Sequence, residues 1–136
     1  KLRTLNELYA GACEGMTYQE IKEKYPDVSK LFIYGLIQEF SSREKDKFLY
    51  RYPKGGESYS DLVDRIRPII VELERETGDV LIVSHTAVIR TLYGYFMDVP
   101  TNQLPYTEVP LNQLICLIPT PFGCDEARIN FTLQKP

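Results

Sequence analysis

The sequence predicts an α/β domain, and three observations predict it. Residues 58–77 carry Leu62, Val63, Ile66, Ile69, Ile70 and Leu73 on one stripe at helical spacing. Residues 79–84 form a continuous, partly β-branched apolar run, the pattern of a buried strand. A polar residue, His85, then separates that run from a second helical stretch over 86–97. Strand, polar residue, helix is the arrangement in which ligands gather at strand ends.

The elements follow in order. Residues 1–16 read as short and irregular, with Gly11 and Gly15 among them. Thr17 and Glu20 are spaced as a capping box, each satisfying the other's free backbone donor, so a short helix should follow and end near Pro26. Residues 28–40 are densely apolar and broken by Gly35, and period alone does not separate helix from strand there. Residues 42–48 read as a charged surface turn of helix, and 51–56 as a loop. Ser58 with Asp61 is placed to cap the long helix, Pro68 to bend it, and Gly78 to end it in the left-handed conformation. Residues 113–118 and 127–133 read as two further strands.

Composition narrows the classes. The formal charge of -3 over 136 residues leaves no general basic surface, which argues against nucleic acid as a partner. No apolar run approaches the roughly 18 residues of a membrane span. Three cysteines, Cys13, Cys116 and Cys124, lack metal-ligand spacing and predict free thiols in a reducing compartment, the cytosol. No Gly-Lys-Ser or Gly-Lys-Thr ends a glycine-rich loop, so P-loop nucleotide binding is not supported. No zinc site and no serine–histidine–acid triad can be assembled, because Ser84 and His85, as strand neighbours, point to opposite faces.

His85, the single histidine, is the first candidate for chemistry. At a strand end it stands beside the free N–H groups of the next helix, which suit a phosphoryl group. Arg90 lies five residues on and adds charge. The alternative is that Ser84 or Thr86 merely caps the helix and His85 is a partly buried polar residue. Glu7 is a weaker candidate: a loop carboxyl becomes a general acid or base only where a site holds it. Arg43, Lys47 and Lys54 read alone as solvated charges, and the ten tyrosines mostly as packing residues.

Four stretches carry a family resemblance. They are residues 5–18, with Asn6-Glu7-Leu8-Tyr9-Ala10-Gly11; residues 50–63, with Gly56-Glu57-Ser58-Tyr59; residues 80–90, with Ser84-His85-Thr86; and residues 104–124. A Gly-Glu-Ser loop and a strand-end histidine fit any histidine phosphatase. The longer strings resemble the phosphatase half of the bifunctional 6-phosphofructo-2-kinase/fructose-2,6-bisphosphatases. The resemblance covers nearly the whole chain except 28–40.

The resemblance implies a phosphoglycerate mutase-like three-layer sandwich that lacks its first strand, with 1–136 forming part of one domain. It implies hydrolysis of fructose 2,6-bisphosphate to fructose 6-phosphate and phosphate through a phosphohistidine. Glu7 matches the acid that protonates the leaving oxygen, and His85 the histidine that flanks the transferred group. Tyr18, Arg43, Lys47, Tyr59 and Arg90 match the residues that hold the sugar and its 6-phosphate, and Thr86 occupies the position of one further substrate contact. No metal or cofactor is implied for the phosphatase. ATP and magnesium are implied for a kinase domain upstream, and a homodimer for the parent protein.

The departures are specific. The family's Arg-His-Gly motif, which supplies the nucleophilic histidine, is absent, so two-histidine catalysis is impossible within these residues and the piece alone should be inactive. Thr86 stands where glutamine is usual, and Phe122 where tyrosine is usual. An extra glycine lengthens the loop at Gly55-Gly56. Residues at about 28–40 read as an insertion, either real or an artefact of gene modelling. The rivals are another histidine phosphatase or a phosphoglycerate mutase, or a sugar-phosphate-binding module without catalysis.

Overall fold

The computed structural model describes residues 2–17, 20, 47–52 and 54–131. Among the described residues, two long helices and one hairpin make the frame. Helix α1 spans Tyr59–Arg75, helix α2 Thr86–Phe96, strand β1 Gln113–Thr120 and strand β2 Gly123–Asn130. Short 3-10 turns at Arg3–Leu5, Gly11–Cys13 and Leu104–Tyr106 shape the connections.

Helix α1 begins where its sequence says it should. The Ser58 side chain accepts the Asp61 N–H, and the Asp61 carboxylate accepts the Ser58 N–H, a complete capping box. Burial pushes the Asp61 carboxyl up, but bonds from the Ser58 hydroxyl and N–H, with the Arg51 charge, outweigh it and hold the carboxyl below its ordinary value. The helix then buries Tyr59, Leu62, Ile66 and Ile70 on one face, and Pro68 lies inside it. Helix α2 answers with Ala87, Val88 and Leu92, and Leu8 and Leu104 close the same cluster. Each fully buried aliphatic side chain of this kind contributes about 1.5–3 kcal/mol relative to exposure. Gly94 lets the Leu104–Tyr106 turn approach α2, since a Cβ there would meet the Leu104 side chain at 3.1 Å.

Strands β1 and β2 pair antiparallel, from Gln113 opposite Asn130 to Thr120 opposite Gly123. The second strand therefore starts four residues before the expected 127, because the turn at 121–122 is tight and Gly123 takes a φ of 152°. The Thr17–Glu20 capping box is present, with Thr17 N–H to Glu20 at 2.7 Å and Glu20 N–H to the Thr17 hydroxyl at 3.2 Å. The apolar segment and possible insertion at 28–40 lie outside the described residues.

Two expectations need correction. Gly78 is not left-handed: α1 ends at Arg75, and Glu76 leaves the helix in extended conformation with ψ 136°. Residues 79–84 are not a buried strand. Among the described residues they pair with no other strand. Their side chains alternate, with Ile82 packed on the core while Leu81 is 75% and Val83 86% exposed. One face of the segment is covered and the other is not. The described residues hold only the two-stranded sheet, and no described helix is long and apolar enough to cross a membrane.

Candidate functional site

Glu7 sits in a loop with little regular structure, yet the loop is firmly tied. The Arg65 guanidinium, on α1, donates to the carbonyls of Thr4 at 2.7 Å, Asn6 at 3.1 Å and Glu7 at 3.3 Å. The Ser84 hydroxyl donates to the carbonyl of Leu5 at 2.7 Å. Four consecutive carbonyls, 4 to 7, thus accept from two side chains that come from distant parts of the chain. Leu8 is buried in the core beside them. The Glu7 carboxylate turns back to accept the Leu8 N–H at 2.9 Å.

His85 is the N-cap of α2, extended at φ -102° and ψ 162°, and it is exposed. Its side chain makes no capping bond, and the first turn of α2 carries no acid. Ser84, directed to Leu5, is not the cap either. Neither the cap nor the first turn of α2 therefore supplies a side chain that neutralises the helix's positive end, and the histidine stands next to it. Thr86 is the first residue of α2 and half-buried. The Ser84–Leu5 bond joins the His85 segment to the Glu7 loop, so the two catalytic candidates belong to one bonded unit.

A second group lies around the Leu104–Tyr106 turn. Arg90 Nε donates to the Thr107 carbonyl at 2.7 Å, and its Nη1 to the Tyr59 hydroxyl at 3.3 Å. Because the buried Tyr59 oxygen accepts from Arg90, its own proton is left to donate elsewhere. Lys47 Nζ donates to the Pro105 carbonyl at 3.3 Å and lies 4.7 Å from the centre of the Tyr106 ring. Two cations and a phenol from three separate segments thus meet at one turn, a set suited to holding a phosphate. Tyr18 and Arg43 lie outside the described residues. Lys54 is exposed at a left-handed turn, φ 56°.

Sequence reasoning missed Glu57, Arg65, Ser84 and Tyr106. Glu57 stood in a recognised loop, but nothing in spacing separated Arg65 from an ordinary helix-surface arginine. The partners of Ser84 and Tyr106, 79 and 59 positions away in sequence respectively, are set only by the tertiary fold. Among the described residues no cluster of three or more histidine, cysteine, aspartate or glutamate side chains is arranged to hold a metal.

Comparison with known proteins gives a consistent picture. The family model described as histidine phosphatase superfamily (branch 1) matches residues 1–132. A 6-phosphofructo-2-kinase/fructose-2,6-bisphosphatase from Gallus gallus is 47% identical over 132 residues, 97% of this chain and 25% of its own length. 6-Phosphofructo-2-kinase/fructose-2,6-bisphosphatase 1 from Homo sapiens is 48% identical over the same shares. A fructose-2,6-bisphosphatase from Saccharomyces cerevisiae is 45% identical over 127 residues, 93% of this chain and 25% of its own length. The chain spans about a quarter of the length of these curated relatives.

Proposed function

Since the chain belongs to the histidine phosphatase superfamily, branch 1, we propose that it is part of the phosphatase of a bifunctional 6-phosphofructo-2-kinase/fructose-2,6-bisphosphatase. The substrate is fructose 2,6-bisphosphate and the products are fructose 6-phosphate and phosphate. The observation that carries this reading is the Ser84–Leu5 bond, which ties the His85 segment to the Glu7 loop. The Lys47, Tyr59 and Arg90 group supports it as the holder of the substrate's remaining phosphate.

The chemistry runs in two displacements. A histidine from an Arg-His-Gly segment preceding these residues attacks the 2-phosphoryl group, so a P–N bond forms as the P–O bond to the sugar breaks. Glu7 gives its proton to the departing sugar oxygen, which spares that oxygen a full negative charge. Water then attacks phosphorus. Glu7, now a carboxylate, takes the water's proton, the P–N bond breaks, and phosphate leaves with the histidine restored. His85 and the first N–H groups of α2 stabilise the charge that spreads over the transferred oxygens. Tyr18, Arg43 and Thr86 complete the sugar contacts.

This phosphatase uses no cofactor. ATP and magnesium serve a kinase domain elsewhere in the parent protein, a homodimer of the cytosol. The 136 residues alone, without the nucleophile, are inactive. The three-layer sandwich is completed by the preceding strand, which pairs with residues 79–84; the exposed Leu81 and Val83 support that pairing. The test is turnover by the full-length chain on fructose 2,6-bisphosphate and on 3-phosphoglycerate. Hydrolysis confined to the first supports the reading. Mutase activity on the second, or binding without turnover, overturns it.

A further inference from the structure

Arg65 spends its whole guanidinium inside the protein. Its Nε and one Nη2 hydrogen go to the two oxygens of Glu57, at 2.8 and 2.9 Å. Its remaining donors go to the carbonyls of Thr4, Asn6 and Glu7. Those five bonds match the five N–H donors that a guanidinium has. None is left over for a phosphate, so this arginine is not built to bind substrate.

Glu57 extends the same clamp. Its Oε2 accepts the Tyr9 N–H at 2.9 Å, and its own N–H donates to the Tyr9 carbonyl at 2.8 Å. The pair is largely covered, with Arg65 and Glu57 side chains 23% and 20% exposed. Arg65 stands beside Leu62 and Ile66, both fully buried, so the clamp is rooted in the buried core. The Glu7 loop, by contrast, is anchored by no sheet among the described residues and is flanked there only by the short turns Arg3–Leu5 and Gly11–Cys13.

We propose that Arg65, held by Glu57, is the positioning residue for Glu7: it fixes the loop so that the Glu7 carboxyl stands where the leaving oxygen and the water must meet it. The assignment rests on the phosphatase reading above. Only arginine serves, since lysine offers three donors from a single point and cannot reach three carbonyls and a carboxylate together.

The experiment is a double-mutant cycle in the full-length chain, measuring kcat and KM for fructose 2,6-bisphosphate in the wild type, R65M, E7Q and the double variant. R65M is expected to lower kcat about 100-fold, the cost of misplacing a reacting group by about an ångström. It is expected to leave KM within about threefold, because Arg65 gives the substrate no donor. In the E7Q background the same change is expected to cost less than about twofold, because the group it positions is already gone. Equal losses in both backgrounds would reveal a merely structural role and overturn the proposal, as would no loss in either. Should R65M not fold, R65K carries the same cycle with an expected loss of about 10-fold, since it keeps the charge without the fork. A wild-type chain that does not hydrolyse fructose 2,6-bisphosphate would overturn the phosphatase reading itself, and this inference with it. Hydrolysis with additive losses overturns the inference alone.

Discussion

The Ser84 hydroxyl donates to the carbonyl of Leu5 across 2.7 Å, joining positions 79 residues apart. One bond therefore holds the residue before His85 to the residue two before Glu7. A hydrogen bond of this kind contributes about 1 kcal/mol, or about a fivefold change in an opening equilibrium. In the full-length chain, S84A is expected to speed amide exchange at Leu5 and Asn6 about fivefold and to leave β1 and β2 unchanged. Unaltered exchange at those two amides would show that the loop is held without Ser84.

Arg90 reaches both the Thr107 carbonyl and the Tyr59 hydroxyl, so its position is set by two bonds. A charged hydrogen bond of about 1.5–3 kcal/mol corresponds to roughly 10–100-fold in affinity. R90A is expected to raise KM for fructose 2,6-bisphosphate by about that factor, and R90K to recover only part of it, because a lysine cannot make both contacts. The kinetic measurement on the full-length chain checks this. An R90K enzyme with wild-type KM would contradict it.

The hairpin is tied to α2 by a pH-sensitive contact. Tyr93 donates to Glu126 at 2.6 Å, and Arg128 pairs with the same carboxylate. The Tyr93 hydroxyl first, and Arg128 after it, hold the Glu126 carboxyl below its ordinary 4.5 despite burial. The bond to Glu126, helped by burial, pushes the Tyr93 phenol above its ordinary 10.0. A depressed carboxyl contributes stability that is present above 4.5 and lost as pH falls through its folded value. A raised phenol contributes stability that is fully present below 10.0 and lost as pH rises through its folded value. Protection of β1 and β2 amides, corrected for intrinsic exchange, is therefore expected to fall outside that window. E126Q is expected to flatten the acid side, and an unchanged acid side in E126Q would refute the contact's role.

Leu81 and Val83 expose apolar side chains on a segment with no strand partner among the described residues. Such an edge invites association. The 136-residue chain expressed alone is expected to self-associate at micromolar concentration in sedimentation velocity, and L81K/V83K to shift it toward monomer. A monodisperse wild-type monomer would speak against an open edge.

Local signals read well from the sequence. The capping boxes at Thr17–Glu20 and Ser58–Asp61, and the Leu62–Ile66–Ile70 stripe, are formed by residues within one or two helical turns of each other. The segment 79–84 misled because a continuous apolar run predicts burial on both faces, and burial on the second face depends on a neighbour that the run itself does not specify. Gly78 misled because the helix ended three residues earlier, at Arg75. His85 stood out as the single histidine ahead of a helix, whereas Glu7 gained its role only through resemblance, since a loop carboxylate has no spacing signature. Arg65 and Ser84, which hold those two in place, act on carbonyls 58 to 79 residues away and leave no trace in local pattern.

The central claim is that Glu7 and His85 serve one phosphoryl transfer. The measurement that tests it most directly is release of phosphate from fructose 2,6-bisphosphate labelled at the 2-phosphoryl group, by full-length wild type, E7Q and H85A, with an alkaline quench that preserves phosphohistidine. The account predicts a labelled histidine intermediate in the wild type, and a loss of about 10²–10⁴-fold in E7Q as general acid and base catalysis disappears. It predicts a loss of about 10²–10³-fold in H85A as the charge on the transferred group goes unstabilised. Wild-type release without a phosphohistidine, or undiminished turnover in E7Q, would contradict it.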